Sequence, residues 1–225
     1  EVPPPPFWAV VRFLFASPVL RNVVIAGTLT AFAGYASVIW VPIYLVRIHE
    51  MGTGEAGTYL ALTLGVGGAI GIYLGGRIAD HLGKKYGEHW LAWLVAIVGV
   101  ISVPFMLLCF FAETAETAIL AYAIPAFLGT IYVACGFALI QNHTPLEMRS
   151  VCAAINLFIL NIIGLGLGPF SIGLLSDLFE PSMGQDSLRY GLLATLVAIA
   201  LGCWYYYRTG AFILRTRDRA IVSSL

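Results

Sequence analysis

Six apolar runs constrain this chain more than any other feature. They are Asn22–Val46, Ala56–Gly76, Trp90–Ala112, Thr117–Gln141, Val151–Ser176 and Tyr190–Tyr207, and none contains Asp, Glu, Lys, Arg or His. Each lies close to the roughly 20 residues that a helix needs to cross a bilayer. A soluble helical protein would need a solvated polar stripe along its helices, and these runs have none. The expected fold is therefore an all-α membrane protein with six transmembrane helices.

The connections carry the charge and set the orientation. With a cytoplasmic amino terminus and alternating spans, Arg12, Arg21, Arg77, Lys84, Lys85, Arg149, Arg208, Arg215, Arg217 and Arg219 lie inside, and only Arg47 and Arg189 lie outside. Basic residues favour the cytoplasmic side, so both termini are expected there, in a plasma membrane or bacterial inner membrane. Four regions follow: a cytoplasmic linker and short helix over 1–21, three spans over 22–112, three more over 113–207, and a basic tail over 208–225. The chain opens at Glu1 rather than Met, on Pro3-Pro4-Pro5-Pro6, and is expected to begin inside a longer protein. The proline run favours an extended, semi-rigid spacer. The apolar stretch Phe7–Phe15 that follows is too short to span. It suits a helix along the interface, or one packed beneath the protein.

Signs of enzyme chemistry are missing. Cys109, Cys135, Cys152 and Cys203 lie in or at the ends of spans with no C-x-x-C spacing, and read as packing residues. His49, His81, His89 and His143 show no ligand spacing. No cofactor, metal or nucleic acid is expected.

Two patterns point further. Gly76-Arg77-Ile78-Ala79-Asp80-His81-Leu82-Gly83-Lys84-Lys85 is read as a short charged turn between the second and third spans. Gly67, Gly71, Gly76 and Asp80 also align with Gly164, Gly168, Gly173 and Asp177 at a constant offset of 97 residues, and Ala31-Phe32-x-Gly34 aligns with Ala126-Phe127-x-Gly129 at 95. An odd number of spans per copy inverts the second copy, which gives two inverted three-helix repeats.

The Gly-x-x-x-Asp-x-x-Gly-Lys-Lys segment resembles the signature of the major facilitator superfamily, with His81 where the family usually has Arg. Asn161-Ile162-Ile163-Gly164-Leu165-Gly166-Leu167-Gly168-Pro169 resembles its Spinster branch, as does Gly65-x-Gly67-Gly68-x-x-Gly71. The resemblance implies the carboxyl half of a twelve-helix transporter, whose partner is the amino-terminal six-helix half. It also implies a gate built from Gly76, Arg77, Asp80, Gly83, Lys84 and Lys85, in which Asp80 contacts the opposite half. In such a half the first, second, fourth and fifth spans face the pathway, and the third and sixth lie outside.

Helical spacing on those faces nominates Thr28, Tyr35, Trp40, Tyr59, Thr63, Thr130, Phe137, Gln141, Asn156 and Asn161 for a substrate cavity. The two asparagines serve equally as interhelical glue, since a buried amide needs a hydrogen-bond partner. The glycine rows serve either static close packing or sliding surfaces. Pro42, Pro125 and Pro169 are expected to kink their helices. Aromatic, hydroxyl and amide groups without charge suit an amphipathic cargo, lysolipid- or drug-like, moved by alternating access. Proton coupling, common among such carriers, is expected to use a carboxylate of the other half. The alternative is a self-contained six-helix oligomeric channel or scaffold. The topology is checked with single cysteines at Lys84→Cys and Glu116→Cys: an impermeant thiol reagent is expected to label them from opposite sides, and labelling from the same side contradicts the span order.

Overall fold

The computed structural model describes the backbone of residues 5–223 and the side chains of residues 5–218, so Pro3 and Pro4 of the expected proline spacer and the end of the basic tail lie outside the described residues. Every regular element among them is helical. In hydrocarbon this is what backbone chemistry requires, because a helix satisfies its own N–H and C=O groups. A short helix α1 (Phe7–Ala16) leads into α2 (Pro18–His49), which starts at the cap formed by Ser17. Then come α3 (Thr53–Tyr86), α4 (His89–Phe110) and α5 (Ala115–Asn142). The continuous helical run Leu146–Asp218 is 73 residues long, enough for more than one crossing. It turns at Gly184, where φ is +57°, and folds back so that Gly191 packs on Ile172 and Ser176. We name its two arms α6 (149–183) and α7 (Ser187–Ser223).

The motif segment departs from expectation. Gly76–Lys85 is not a turn but the closing turns of α3. Nothing in it breaks a helix, so the chain stays helical until Gly87. There φ reaches +109°, which favours glycine, and the Gly87 N–H caps the Gly83 carbonyl at 3.0 Å. All three prolines lie within helical runs: Pro42 in α2, Pro125 in α5, and Pro169 in α6 where a π-helical segment, Leu160–Leu167, gives way to α-helix. α5 is interrupted at Gly129–Thr130, just after Pro125.

Packing places four helices in a front row, α3–α5–α2–α6, with α4 and α7 behind them. The third and sixth helical arms thus form the back layer, as the resemblance implied. Two carbonyls fix the row. A Cβ on Gly71 of α3 would collide with the Phe127 carbonyl of α5, and a Cβ on Gly168 of α6 would lie 2.7 Å from the Phe32 carbonyl of α2. Gly71 matches Gly168 and Phe127 matches Phe32 in the internal repeat, so each copy lends its second helix to the first helix of the other. α3 and α6 also each contain a π-helical segment, Ala61–Gly67 and Leu160–Leu167. Such segments widen a helix by one residue per turn.

At the α4 carboxyl end, the buried Tyr44 hydroxyl donates toward the carbonyls of Cys109 (2.9 Å) and Phe110 (3.1 Å), and Arg189 donates to Phe110 (3.1 Å). These contacts satisfy carbonyls that have no partner within the helix. α1 buries Val10 and Leu14 against the bundle while Phe7 and Trp8 stay exposed, so the short helix is packed on one side and free on the other. The glycine contacts carry a prediction. Gly168→Ala is expected to lower the thermal midpoint of the purified protein, at a cost of about 1–3 kcal/mol from overpacking. Gly166→Ala, where a Cβ meets nothing within 4 Å, is expected to leave the midpoint unchanged or raised. Equal effects would show that the α6–α2 approach is not what sets the packing.

Candidate functional site

Most hydroxyl groups in the spans are already satisfied by their own helix. Thr28 donates to Val24 (2.7 Å), Thr30 to Ala26 (2.9 Å), Ser37 to Ala33 (2.8 Å) and Ser102 to Val98 (2.8 Å). In lipid this local bond is the cheapest partner for a hydroxyl. Thr63 and Asn161 do the same inside the two π-helical segments. Thr63 donates to the carbonyls of Tyr59 (3.0 Å) and Leu60 (3.2 Å), and Asn161 Nδ2 to Leu157 (2.8 Å). Both side chains serve carbonyls one turn back, where the widened helix has disturbed the ordinary pattern.

The nominated cavity residues therefore separate. Tyr35, Phe137, Asn156 and Asn161 converge on a pocket of about 110 Å³ between α2, α5 and α6, with Tyr35 donating to Asn161 Oδ1 at 3.4 Å. Asn156 is only 4% exposed and lines that pocket. Tyr35 and Thr130 also line a larger, partly open cavity of about 300 Å³ between α2, α4, α5 and α7, to which α3 adds Leu64. The others are not brought in. Thr28 is buried among helices, and Tyr59 and Gln141 are exposed. Trp40 ties α2 to α6 by donating from Nε1 to the Pro169 carbonyl at 2.8 Å, its ring lying over Gly173.

Two residues escape the sequence argument. Tyr132 and Tyr206 line both cavities, and Tyr206 comes from α7, in the back layer. Tyr206 is 1% exposed and its hydroxyl has no hydrogen-bond partner. It lies in Trp204-Tyr205-Tyr206-Tyr207, which reads as an interfacial aromatic belt. The helical phase held the missing signal: Leu188, Leu192, Thr195, Ala198, Gly202, Tyr206 and Thr209 are buried positions along one face of α7, and they recur at three- and four-residue steps.

The nominated gate residues cluster on the last turns of α3. Asp80 and Asp177, equivalent in the repeat, are both exposed. Arg77 lies over the Tyr73 ring at 5.2 Å and Lys85 over Tyr86 at 5.1 Å. The Asp80 carboxylate takes part in no ion pair among the described residues. Gly83 permits the close approach of α4, since a Cβ there would lie 2.8 Å from Leu91 Cδ1. A separate contact joins neighbouring connections on that side, with His143 Nδ1 3.3 Å from Glu88 Oε1.

Comparison with known proteins matches this architecture. The crystal structure of a bacterial homolog of the human lysosomal transporter Spinster, inward-facing and unoccupied, superposes with a TM-score of 0.81 at 21% identity. The match covers 93% of this chain and 51% of that one. Its inward-facing, occupied form gives 0.76 at 20% identity, over 91% and 51%. An MFS-type efflux pump of Mycolicibacterium smegmatis is 33% identical over 180 residues, 80% of this chain and 42% of that protein. The sphingosine-1-phosphate transporter SPNS2 of Xenopus tropicalis is 25% identical over 219 residues, 87% of this chain and 42% of that protein. The chain thus spans less than half the length of these curated relatives. The sequence pattern of the Major Facilitator Superfamily matches residues 2–169, and the chain belongs to that family of integral membrane transporters, with Spinster-type proteins among its relatives.

Proposed function

We propose that this chain is the carboxyl half of a secondary active transporter, a six-span unit that moves an amphipathic small molecule by alternating access. The observation that carries the reading is the front row of helices. Its outer members α3 and α6 leave large apolar side chains uncovered, among them Val66, Ile70, Tyr73, Phe158, Ile162 and Phe170, while polar groups gather in a recess between α2, α5 and α6. A second six-helix half facing this row closes a pathway whose wall carries hydroxyls and amides but no charge. Such a wall suits a molecule with a compact polar end and a long apolar part. The related efflux pump and sphingosine-1-phosphate transporter, by name, move molecules, and the second of these moves an amphipath.

In this reading both termini and the α3 end carrying Asp80 are cytoplasmic. The exposed Asp80 carboxylate accepts hydrogen bonds from the amino end of a helix in the other half, where unsatisfied N–H groups and the helix dipole favour a negative charge. That contact holds the cytoplasmic side shut when the pathway opens outward. Arg77, Lys84 and Lys85 complete the charged end, Gly83 lets α4 approach, and Gly76, where a Cβ would meet nothing within 4 Å, leaves room for a helix of the other half. Coupling to a proton gradient needs an ionisable group in or beside the pathway, and no apolar run here contains one. The coupling carboxylate is therefore assigned to the other half. The competing reading, an oligomeric channel or scaffold complete in this chain, uses the same uncovered faces to meet further copies of itself.

Two measurements check these assignments. In the whole transporter, Asp80→Asn is expected to remove about 1–2 kcal/mol from the outward-open state. The inward-open fraction, read by energy transfer between cytoplasmic helix ends, is expected to rise about tenfold relative to the outward-open one. Unchanged fractions and unchanged transport would leave Asp80 as a charge that only sets topology. Reconstituted alone, the chain is expected to give no pH-gradient-driven accumulation of a lysolipid, and co-reconstitution with the amino-terminal half is expected to restore it. Accumulation by the chain alone would favour the self-contained reading.

A further inference from the structure

The two cavities share a wall made of Tyr35, Tyr132, Val133 and Tyr206. On one side of it the recess ends in Asn156 and Asn161, and Asn161 and Leu157 open it toward the front of the row. On the other side the larger cavity runs back between the two helix layers, past Val95, Val98, Met106 and Ile199. Its serine and threonine hydroxyls are already committed: Thr30, Ser37 and Ser102 bond within their helices, and Thr130 donates to Phe127 at 2.9 Å. Apart from the phenol groups of Tyr122 and Tyr132, the side chains that remain facing the space are mostly hydrocarbon. The Tyr206 hydroxyl, fully buried and unpartnered, sits at the shared wall, in the gap left by Gly27 and Gly136.

A buried hydroxyl without a partner is costly, and native proteins keep few of them. A dry apolar cavity of about 150 Å³ accommodates a benzene molecule, so 300 Å³ accommodates a chain of about ten carbons. The polar recess, the buried Tyr206 hydroxyl at the wall and the mostly apolar chamber follow one another in the order of the parts of a single-chain amphipath.

We propose that the two cavities form one bipartite subsite, in which the alkyl chain of the transported amphipath enters the chamber between the helix layers and the Tyr206 hydroxyl bonds to a polar atom where chain and headgroup join. The linker lies against Asn156 and Asn161, and the headgroup projects into the pathway. The proposal rests on the transport reading for its substrate class, and it adds that chain length is measured inside this half, behind the pathway wall rather than within it. Gly34 guards the chamber. It lines the cavity, and a Cβ added there meets nothing within 4 Å, so a larger side chain fills the space without disturbing the helices.

The test uses the whole transporter in lipid nanodiscs, with alkylphosphocholines of about 6 to 16 carbons as probes. In the unaltered protein each added methylene is expected to tighten binding about fourfold until the chamber is full. Gly34→Leu is expected to bring the plateau forward by several carbons and to weaken the longest probes at least tenfold, leaving the shortest unchanged. Tyr206→Phe is expected to weaken a lysophosphatidylcholine, which carries an ester and a hydroxyl at the junction, about fivefold. It should weaken the alkylphosphocholines less, because their junction holds only the bridging phosphate-ester oxygen, a weak acceptor. Parallel chain-length series in the unaltered protein and Gly34→Leu, or no binding of any probe, would overturn the proposal. Co-purified diacyl phospholipid that is lost in Gly34→Leu and not displaced by the probes would overturn it in favour of a resident membrane lipid. A Gly34-dependent series without transport of any amphipath would support the subsite and contradict the transport reading, so the two fail separately.

Discussion

The structure depends on two places where a helix backbone touches another backbone directly. In lipid there is no hydrophobic contrast to pull helices together, so association relies on close contact and on polar groups that find partners. At Gly71 against Phe127, and at Gly168 against Phe32, only a hydrogen occupies the space where a side chain would begin. Because the two contacts exchange the halves of the internal repeat, they join α3 to α5 and α6 to α2. The front row is assembled by that exchange, and the chamber between the layers is what remains behind it.

The second constraint is the supply of hydrogen-bond partners. Serines and threonines in the spans turn to their own helix, Trp40 reaches the Pro169 carbonyl, and Tyr44 closes the end of α4. A polar wall built this way is quiet: its groups are present but committed. Against that background the free Tyr206 hydroxyl and the buried Asn156 amide stand apart. Tyr206 forms part of the wall between the two cavities and Asn156 lines the recess beside it, which is why the subsite is assigned there rather than to the more numerous hydroxyls elsewhere in the spans.

Much of the fold was legible in the sequence, because uncharged runs of bilayer length admit little other than helices. The glycine offsets of 95 and 97 residues even marked the residues that make the two close contacts. Other features were hidden for physical reasons. The charged segment Gly76–Lys85 looked like a turn because its composition changes there, but helical hydrogen bonding is indifferent to that change and ends only at Gly87. Thr28 shares its spacing with pathway residues, yet its position in the bundle buries it. Tyr206 was masked by its aromatic neighbours, and only its phase along α7 distinguishes the buried ring from the exposed Trp204 and Tyr207.

The central claim is that this chain moves as one rigid half against another. Spin labels at Lys84 and Asp177 of this chain, and at the corresponding cytoplasmic and external ends of the amino-terminal half, test it by pulsed distance measurements with and without substrate. The account predicts that the distance between positions 84 and 177 stays fixed. The cytoplasmic and external distances between halves should change in opposite senses. A change in the 84–177 distance with both inter-half distances constant would contradict it.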